Sequence, residues 1–197
     1  MKKVIIIPGL SGETKSLEFF TRNWRKNGVE PIIYPIIWRD DESFDLKMKE
    51  LRKFIVNLTK DKSKISIIGC SAGGSMALNI FLENPDVIDR AVNICGRIRK
   101  GNQVGFRSFE FRSRTSYAFA ESVKSFENKE KSLSKDQREK IMTIRPLFGD
   151  ELVPSNTVGV EGSKNIRVPT IEHTLSIYMT LFVFKKRIIK FVLEKTD

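Results

Sequence analysis

A serine between glycines at fixed spacing, Gly69-Cys70-Ser71-Ala72-Gly73, follows the apolar run Ile65-Ser66-Ile67-Ile68 and precedes the small residues Gly74 and Ser75. That order suits a strand-to-helix turn tight enough to present a serine hydroxyl, with a helix N-terminus behind it. Gly69 and Gly73 remove the Cβ atoms that such a turn would bring into collision. A glycine-rich turn with an incidental serine is the plainer account, and the spacing arises by chance in about one chain in fifteen of this length. Its place directly after a buried strand favours nucleophilic chemistry. A serine nucleophile needs a general base, and the chain holds a single histidine, His173. Lone histidines are more often structural or exposed, but no second imidazole is present to serve. Asp150 heads Asp150-Glu151-Leu152-Val153-Pro154 just beyond an apolar run, where a carboxylate can accept the other imidazole N–H and hold its tautomer. Glu151 and Glu172 compete with it by nearness in sequence. The loop Pro8-Gly9-Leu10-Ser11-Gly12 can approach a substrate, and the backbone N–H groups of Leu10 and Ala72 are the candidate donors to a developing oxyanion.

Strands and helices must alternate to hold these groups. Val4 to Pro8 is a continuous β-branched run of the kind covered on both faces. Leu17, Phe20 and Trp24 give Thr14 to Lys26 a helical spacing that Asn27-Gly28 ends. Val29 to Trp38 is extended, and Pro31 and Pro35 place it near an edge. Ser43 to Lys60 is amphipathic, and Ala72 to Asn84 is a helix stopped by Pro85. Further strands follow at Ile65 to Gly69, Val87 to Cys95, Ile141 to Leu147 and Asn165 to Pro169. Thr174 to Glu194 reads as one long final helix with Leu175, Met179, Phe182, Ile189 and Leu193 on its core face. The spacing predicts a single α/β domain over 1–197, a mostly parallel sheet with helices on both faces and right-handed crossovers. An insertion over 97–140 reads as a small helical cap.

Composition narrows the classes. The 197 residues are 40% hydrophobic and 30% charged, which excludes a disordered tail or a collagen-like fibre. Two cysteines, Cys70 and Cys95, are too few for a disulfide framework, and with one histidine they leave no zinc-site pattern, so neither metal nor cofactor is expected. The start, Met1-Lys2-Lys3 followed by a short apolar run into Pro8-Gly9, lacks the length and cleavage site of a signal peptide, and the expected location is the cytoplasm. Net charge is +11, which favours acidic partners. The charge concentrates at Arg97, Arg99, Lys100, Arg107, Arg112 and Arg114, interleaved with Phe106, Phe109 and Phe111. Such a stretch can hold an anionic ligand or meet an anionic membrane surface. The blander alternative, a cap whose aromatics pack down while its arginines stay solvated, is preferred here. Glu121 to Lys140 then reads as a polar, exposed helix.

The chain order Ser71, Asp150, His173 resembles that of the α/β-hydrolase superfamily, and nearly the whole chain shares in the likeness. Within it the stretch from Gly149-Asp150 through Glu161-Gly162-Ser163-Lys164-Asn165-Ile166-Arg167-Val168 to His173 is similar to the acid-to-histidine segment of small bacterial lipases and esterases. The resemblance implies a minimal hydrolase core, no cofactor, and cleavage of a small ester or acyl substrate through an acyl-enzyme. Thioesters and amides are open to the same machinery. A reading from another class makes the chain a basic module for nucleic acid or anionic membrane on an inactive scaffold; net charge supports it and the complete triad opposes it, so nucleic acid is the less favoured partner.

Overall fold

The computed structural model describes residues 1–60 and 63–194. Within them, six strands form one parallel sheet: β1 (Lys2–Ile7), β2 (Val29–Ile33), β3 (Ile65–Cys70), β4 (Ile88–Ile94), β5 (Ile141–Pro146) and β6 (Lys164–Val168), in spatial order β2-β1-β3-β4-β5-β6. The helices are α1 (Lys15–Thr21), α2 (Phe44–Leu58), α3 (Gly73–Glu83), α4 (Phe109–Ser113), α5 (Tyr117–Glu130), α6 (Lys135–Glu139), α7 (His173–Phe182) and α8 (Lys185–Leu193). None of these is long and apolar enough to cross a membrane.

The period of two in a strand divides each apolar run between two cores. Ile5, Ile7, Ile65 and Ile67 face one side, under α2, α3 and α5. Val4, Ile6, Ile68 and Cys70 face the other, with Leu17, Ile177, Leu181, Ile188 and Val192 from α1, α7 and α8. Coverage on both faces is why β1 reads as an unbroken apolar stretch from Val4 to Ile7 rather than an alternating one. Pro31 sits in β2, an edge strand, where its missing N–H leaves no neighbour unpaired.

Strand order reverses between β1 and β3. From β1 the chain moves outward to β2, then returns to lay β3 on the other side of β1. Open parallel sheets bind ligands beyond the C-terminal ends of strands at such a switch point. Here those ends are Pro8-Gly9-Leu10 and Cys70-Ser71.

Three sequence expectations are corrected. The final helix is interrupted: the N–H groups of Val183 and Phe184 both donate to the Met179 carbonyl, at 2.8 and 3.0 Å, which closes α7 before α8 begins. Its core face is only partly the expected one: Ile189 is buried, but Leu175, Phe182 and Leu193 are exposed while Ile177, Leu181, Ile188 and Val192 are buried. These two sets lie roughly half a turn apart on a helix, and both are apolar, so periodicity favours neither. The stretch 121–140 is not a polar exposed helix. Its first part belongs to α5, which forms the crossover from β4 to β5 and buries Ser122, Val123 and Phe126 against α3 and α2. Small polar residues let the helices approach, because each finds a partner: Ser75 Oγ and Ser122 Oγ stand 2.6 Å apart, and Asn79 Nδ2 donates to the Ser122 carbonyl at 2.8 Å. Only α6, with no buried residue, matches the expectation. Third, Thr14 to Lys26 is not one helix: α1 stops at Thr21, and a 3-10 turn over Trp24–Asn27 carries the chain to Gly28.

Candidate active site

Ser71 occupies the turn between β3 and α3 with φ 53°, a left-handed conformation that costs a non-glycine residue on the order of 1–3 kcal/mol. The surroundings enforce it. Ser71 N–H donates to the Ile94 carbonyl at 2.9 Å, and Gly74 N–H donates to the Ser71 carbonyl at 2.9 Å. A Cβ on Gly69 would stand 2.1 Å from the Gly73 carbonyl oxygen, and one on Gly73 would stand 2.4 Å from that of Ile7. No side chain larger than hydrogen fits either position. Gly9 faces the serine, since a Cβ there would lie 2.9 Å from Ser71 Cβ. The Trp38 indole N–H, donating to the Pro8 carbonyl at 3.1 Å, steadies that loop.

His173 is the first residue of α7 and is buried. Its Nε2 lies 2.8 Å from Ser71 Oγ and its Nδ1 lies 2.8 Å from Asp150 Oδ2. Asp150 is itself fastened: Oδ1 accepts the N–H groups of Leu152 at 2.9 Å and Val153 at 2.8 Å. That double acceptance is the physical content of the Asp-x-x-Val-Pro pattern. With Oδ1 satisfied by backbone, Oδ2 is left for the imidazole.

The two rival carboxylates take other positions. Glu151 Oε2 accepts the backbone N–H of His173 at 3.0 Å. Glu172, at φ 74°, caps α7 by accepting the N–H groups of Thr174 at 2.9 Å and Leu175 at 2.6 Å. Partial burial works to raise its pKa, but the hydrogen bonds from Leu175 and Thr174 prevail and hold the carboxyl below the ordinary range. All three acids therefore serve the same helix start, at different atoms.

Two adjoining cavities meet at the serine, both lined by Leu10, Ser71, Arg112, Leu152 and His173. The smaller adds Ala72, Arg97, Phe119 and Val153. The larger, about 210 Å³, adds Arg39, Ile177 and Tyr178 among others. Among the described residues neither Leu10 N–H nor Ala72 N–H donates to a protein acceptor. The thiols beside the site are buried and held in the protonated form: burial pushes Cys70 up to about 12 and, helped by Asp150, raises Cys95 well above its ordinary value.

The expected division of the stretch from Arg97 to Arg114 into buried aromatics and solvated arginines is corrected. Arg97 is buried, while Phe106 and Phe111 are exposed and only Phe109 packs inward. Arg107 donates to the Asp150 carbonyl at 2.9 Å, Arg99 pairs with Glu130, and Arg114 stacks on Phe111. Phe119 and Leu152 line the site without having been singled out in the sequence. Leu152 is inside the Asp150 motif; Phe119, on the crossover helix, carried no local signal.

No family model matches the sequence, and no curated protein does. Solved structures do. An α/β-hydrolase enzyme from the metagenome of Mar Chica lagoon sediments, Morocco, superposes with a TM-score of 0.68 at 16% identity, over 96% of this chain and 89% of that one. A meta-cleavage product hydrolase from Pseudomonas fluorescens gives 0.67 at 16% identity, over 97% and 90%. The monoacylglycerol lipase of Paleococcus ferrophilus gives 0.63 at 12% identity, over 96% and 93%. With a six-stranded parallel sheet flanked by helices and near-complete mutual coverage, the chain has the α/β-hydrolase fold.

Proposed function

We propose that the protein is a serine hydrolase that cleaves carboxylic esters through an acyl-enzyme. One observation carries the proposal: an unbroken relay from Ser71 Oγ through His173 to Asp150, both links 2.8 Å, begins on a serine held at φ 53°. His173 Nε2 takes the hydroxyl proton as Ser71 Oγ attacks the ester carbonyl. Asp150 keeps the remaining proton on Nδ1 and stabilises the imidazolium. The carbonyl oxygen, now negative, accepts from the N–H groups of Leu10 and Ala72 beside the N-terminus of α3. The imidazolium then protonates the departing alcohol. Water attacks the acyl-serine by the same route in reverse, and Ser71 is regenerated. Structural neighbours that act as hydrolases and lipases lend support to the reaction class.

Labelling with a fluorophosphonate followed by peptide mapping tests the assignment. The expected result is an adduct on Ser71 that disappears in His173→Ala. An intact, folded protein that takes up no label would overturn the proposal. Oxygen esters and coenzyme-A thioesters of matched chain length would then separate esterase from thioesterase action, since the triad is indifferent to the leaving group.

A further inference from the structure

Three of the five arginines in the segment after β4 line neither cavity at the serine, and of these Arg107 keeps a buried Nε without a partner among the described residues. Arg99 is paired with Glu130, Arg107 donates to the Asp150 carbonyl, and Arg114 lies over the Phe111 ring. Arg97 and Arg112 differ. Arg97 is 2% exposed, and its guanidinium reaches only the backbone carbonyls of Lys100 and Arg107. Among the described residues the Arg112 side chain donates no hydrogen bond, and neither arginine has a carboxylate at ion-pair distance. Both line the small cavity, about 20 Å³, that holds Ser71 and His173, and Arg112 also lines the adjoining cavity of about 210 Å³ into which a bound anion would extend.

A guanidinium carries five N–H donors in a rigid fork, and the two carbonyls leave part of the Arg97 fork unused. Burying a cation without a counter-charge is costly, and placing a second cation beside it adds repulsion. Burial, then Arg112 and Arg107, push the Arg97 pKa down to about 10, with Glu110 and Asp150 offsetting only part; the group stays charged at neutral pH. A purely structural role explains the two carbonyl contacts of Arg97. It does not explain why Arg112 shares the cavity.

We propose that Arg97 and Arg112 form an anion-binding subsite beside Ser71, so that the natural ester carries a compact carboxylate or phosphate near its scissile carbonyl. The fork geometry suits either group, and an anion placed there supplies the charge that the fold itself does not. The subsite deepens the hydrolase assignment and rests on Ser71 being the nucleophile.

The test compares 4-nitrophenyl butyrate with 4-nitrophenyl hydrogen succinate, which have the same acyl carbon count and differ by a terminal carboxylate. The wild-type kcat/KM should favour the succinate ester by about 10- to 100-fold, the usual worth of a charge-assisted hydrogen bond. In Arg112→Gln that ratio should collapse, chiefly through KM, and Arg112→Lys should restore part of it. Arg114→Gln, which alters an exposed stacking residue, should leave both rates unchanged. Arg112 is the variant of choice because loss of the buried Arg97 can unfold the segment. Equal wild-type rates, or a preference that survives Arg112→Gln, overturn the subsite. Succinate and inorganic phosphate as competing inhibitors distinguish the two anions, and inhibition by neither counts against the proposal. If no ester is cleaved and Ser71 takes no fluorophosphonate, the hydrolase assignment has failed by itself. Calorimetric titration of methyl hydrogen succinate then decides the subsite separately: Arg112-dependent binding supports it, and no binding overturns it.

Discussion

The turn after β3 and the segment after β4 leave neighbouring strands at the same end of the sheet, and both reach Ser71. They are held in place by different means. Backbone contacts hold the turn: the Ser71 N–H on Ile94, the Gly74 N–H on Ser71, and glycines packed against carbonyl oxygens. Side chains hold the segment: Arg99 on Glu130, Arg97 on the Arg107 carbonyl, Arg107 on the Asp150 carbonyl. Backbone geometry of this kind needs particular residues at particular spacings, so it leaves a local mark. Side-chain anchoring draws on partners far along the chain, and many sequences satisfy it. The difference teaches where the chemistry is rigid and where substrate selection can vary.

The comparison breaks first at Ser71 and His173. Ser71→Ala or His173→Ala should lower ester turnover by about 10⁴ to 10⁶ while the protein stays folded by circular dichroism. A loss under tenfold would remove the turn from the chemistry. Among the acids, Asp150→Ala should cost somewhat less, on the order of 10³ to 10⁴. Glu151→Ala, which frees only a backbone N–H of His173, should cost far less than that. If Glu151→Ala proved crippling and Asp150→Ala mild, the acid would be misassigned.

Stability offers a second way to sharpen the contrast. Gly69→Ala forces a methyl against the Gly73 carbonyl, where 2.1 Å is available, and should destabilise by about 3 kcal/mol in urea unfolding. Glu130→Gln, which weakens the Arg99 anchor of the segment, should cost about 1 kcal/mol. A segment variant that destabilised as much as the turn variant would erase the distinction.

The smallest effect concerns the cap on α7. Glu172→Gln, which keeps one accepting oxygen, should lower the melting temperature at pH 7 by the equivalent of about 0.5 kcal/mol. The folded pKa of Glu172 lies below its unfolded value, so the carboxylate's contribution is present in full above the ordinary carboxylate range. It fades as pH falls through the folded pKa. The gap between wild type and variant should therefore narrow on acidification, and a gap that widened would reverse the sign of that contribution.

Much of the fold was legible because a parallel sheet covered on both faces favours apolar, β-branched strands, most plainly Val4 to Ile7 in β1 and Ile65, Ile67 and Ile68 in β3. The final helices were not. Apolar residues lie on every side of Leu175 to Phe184, and no glycine or proline marks the break at Val183-Phe184, so neither the buried face of α7 nor its stop had a local cause. The crossover helix α5 was misread for a related reason: Ser122 and Ser125 look like surface residues until Ser75 and Asn79 of α3 are set against them.

What the sequence by itself determined was the strands and the turn at Ser71, with His173 as the one imidazole available to it. These follow from excluded volume and periodicity, which act over a few residues. Only the tertiary structure decided which of three acids meets the imidazole, because Asp150, Glu151 and Glu172 all converge on the start of α7 and differ only in the atom they reach. It also decided that Arg97 and Arg112, among five similar arginines, face the serine. Charge is nonlocal: a guanidinium's role depends on which carboxylates and carbonyls the fold brings within reach, and one-dimensional spacing does not encode that.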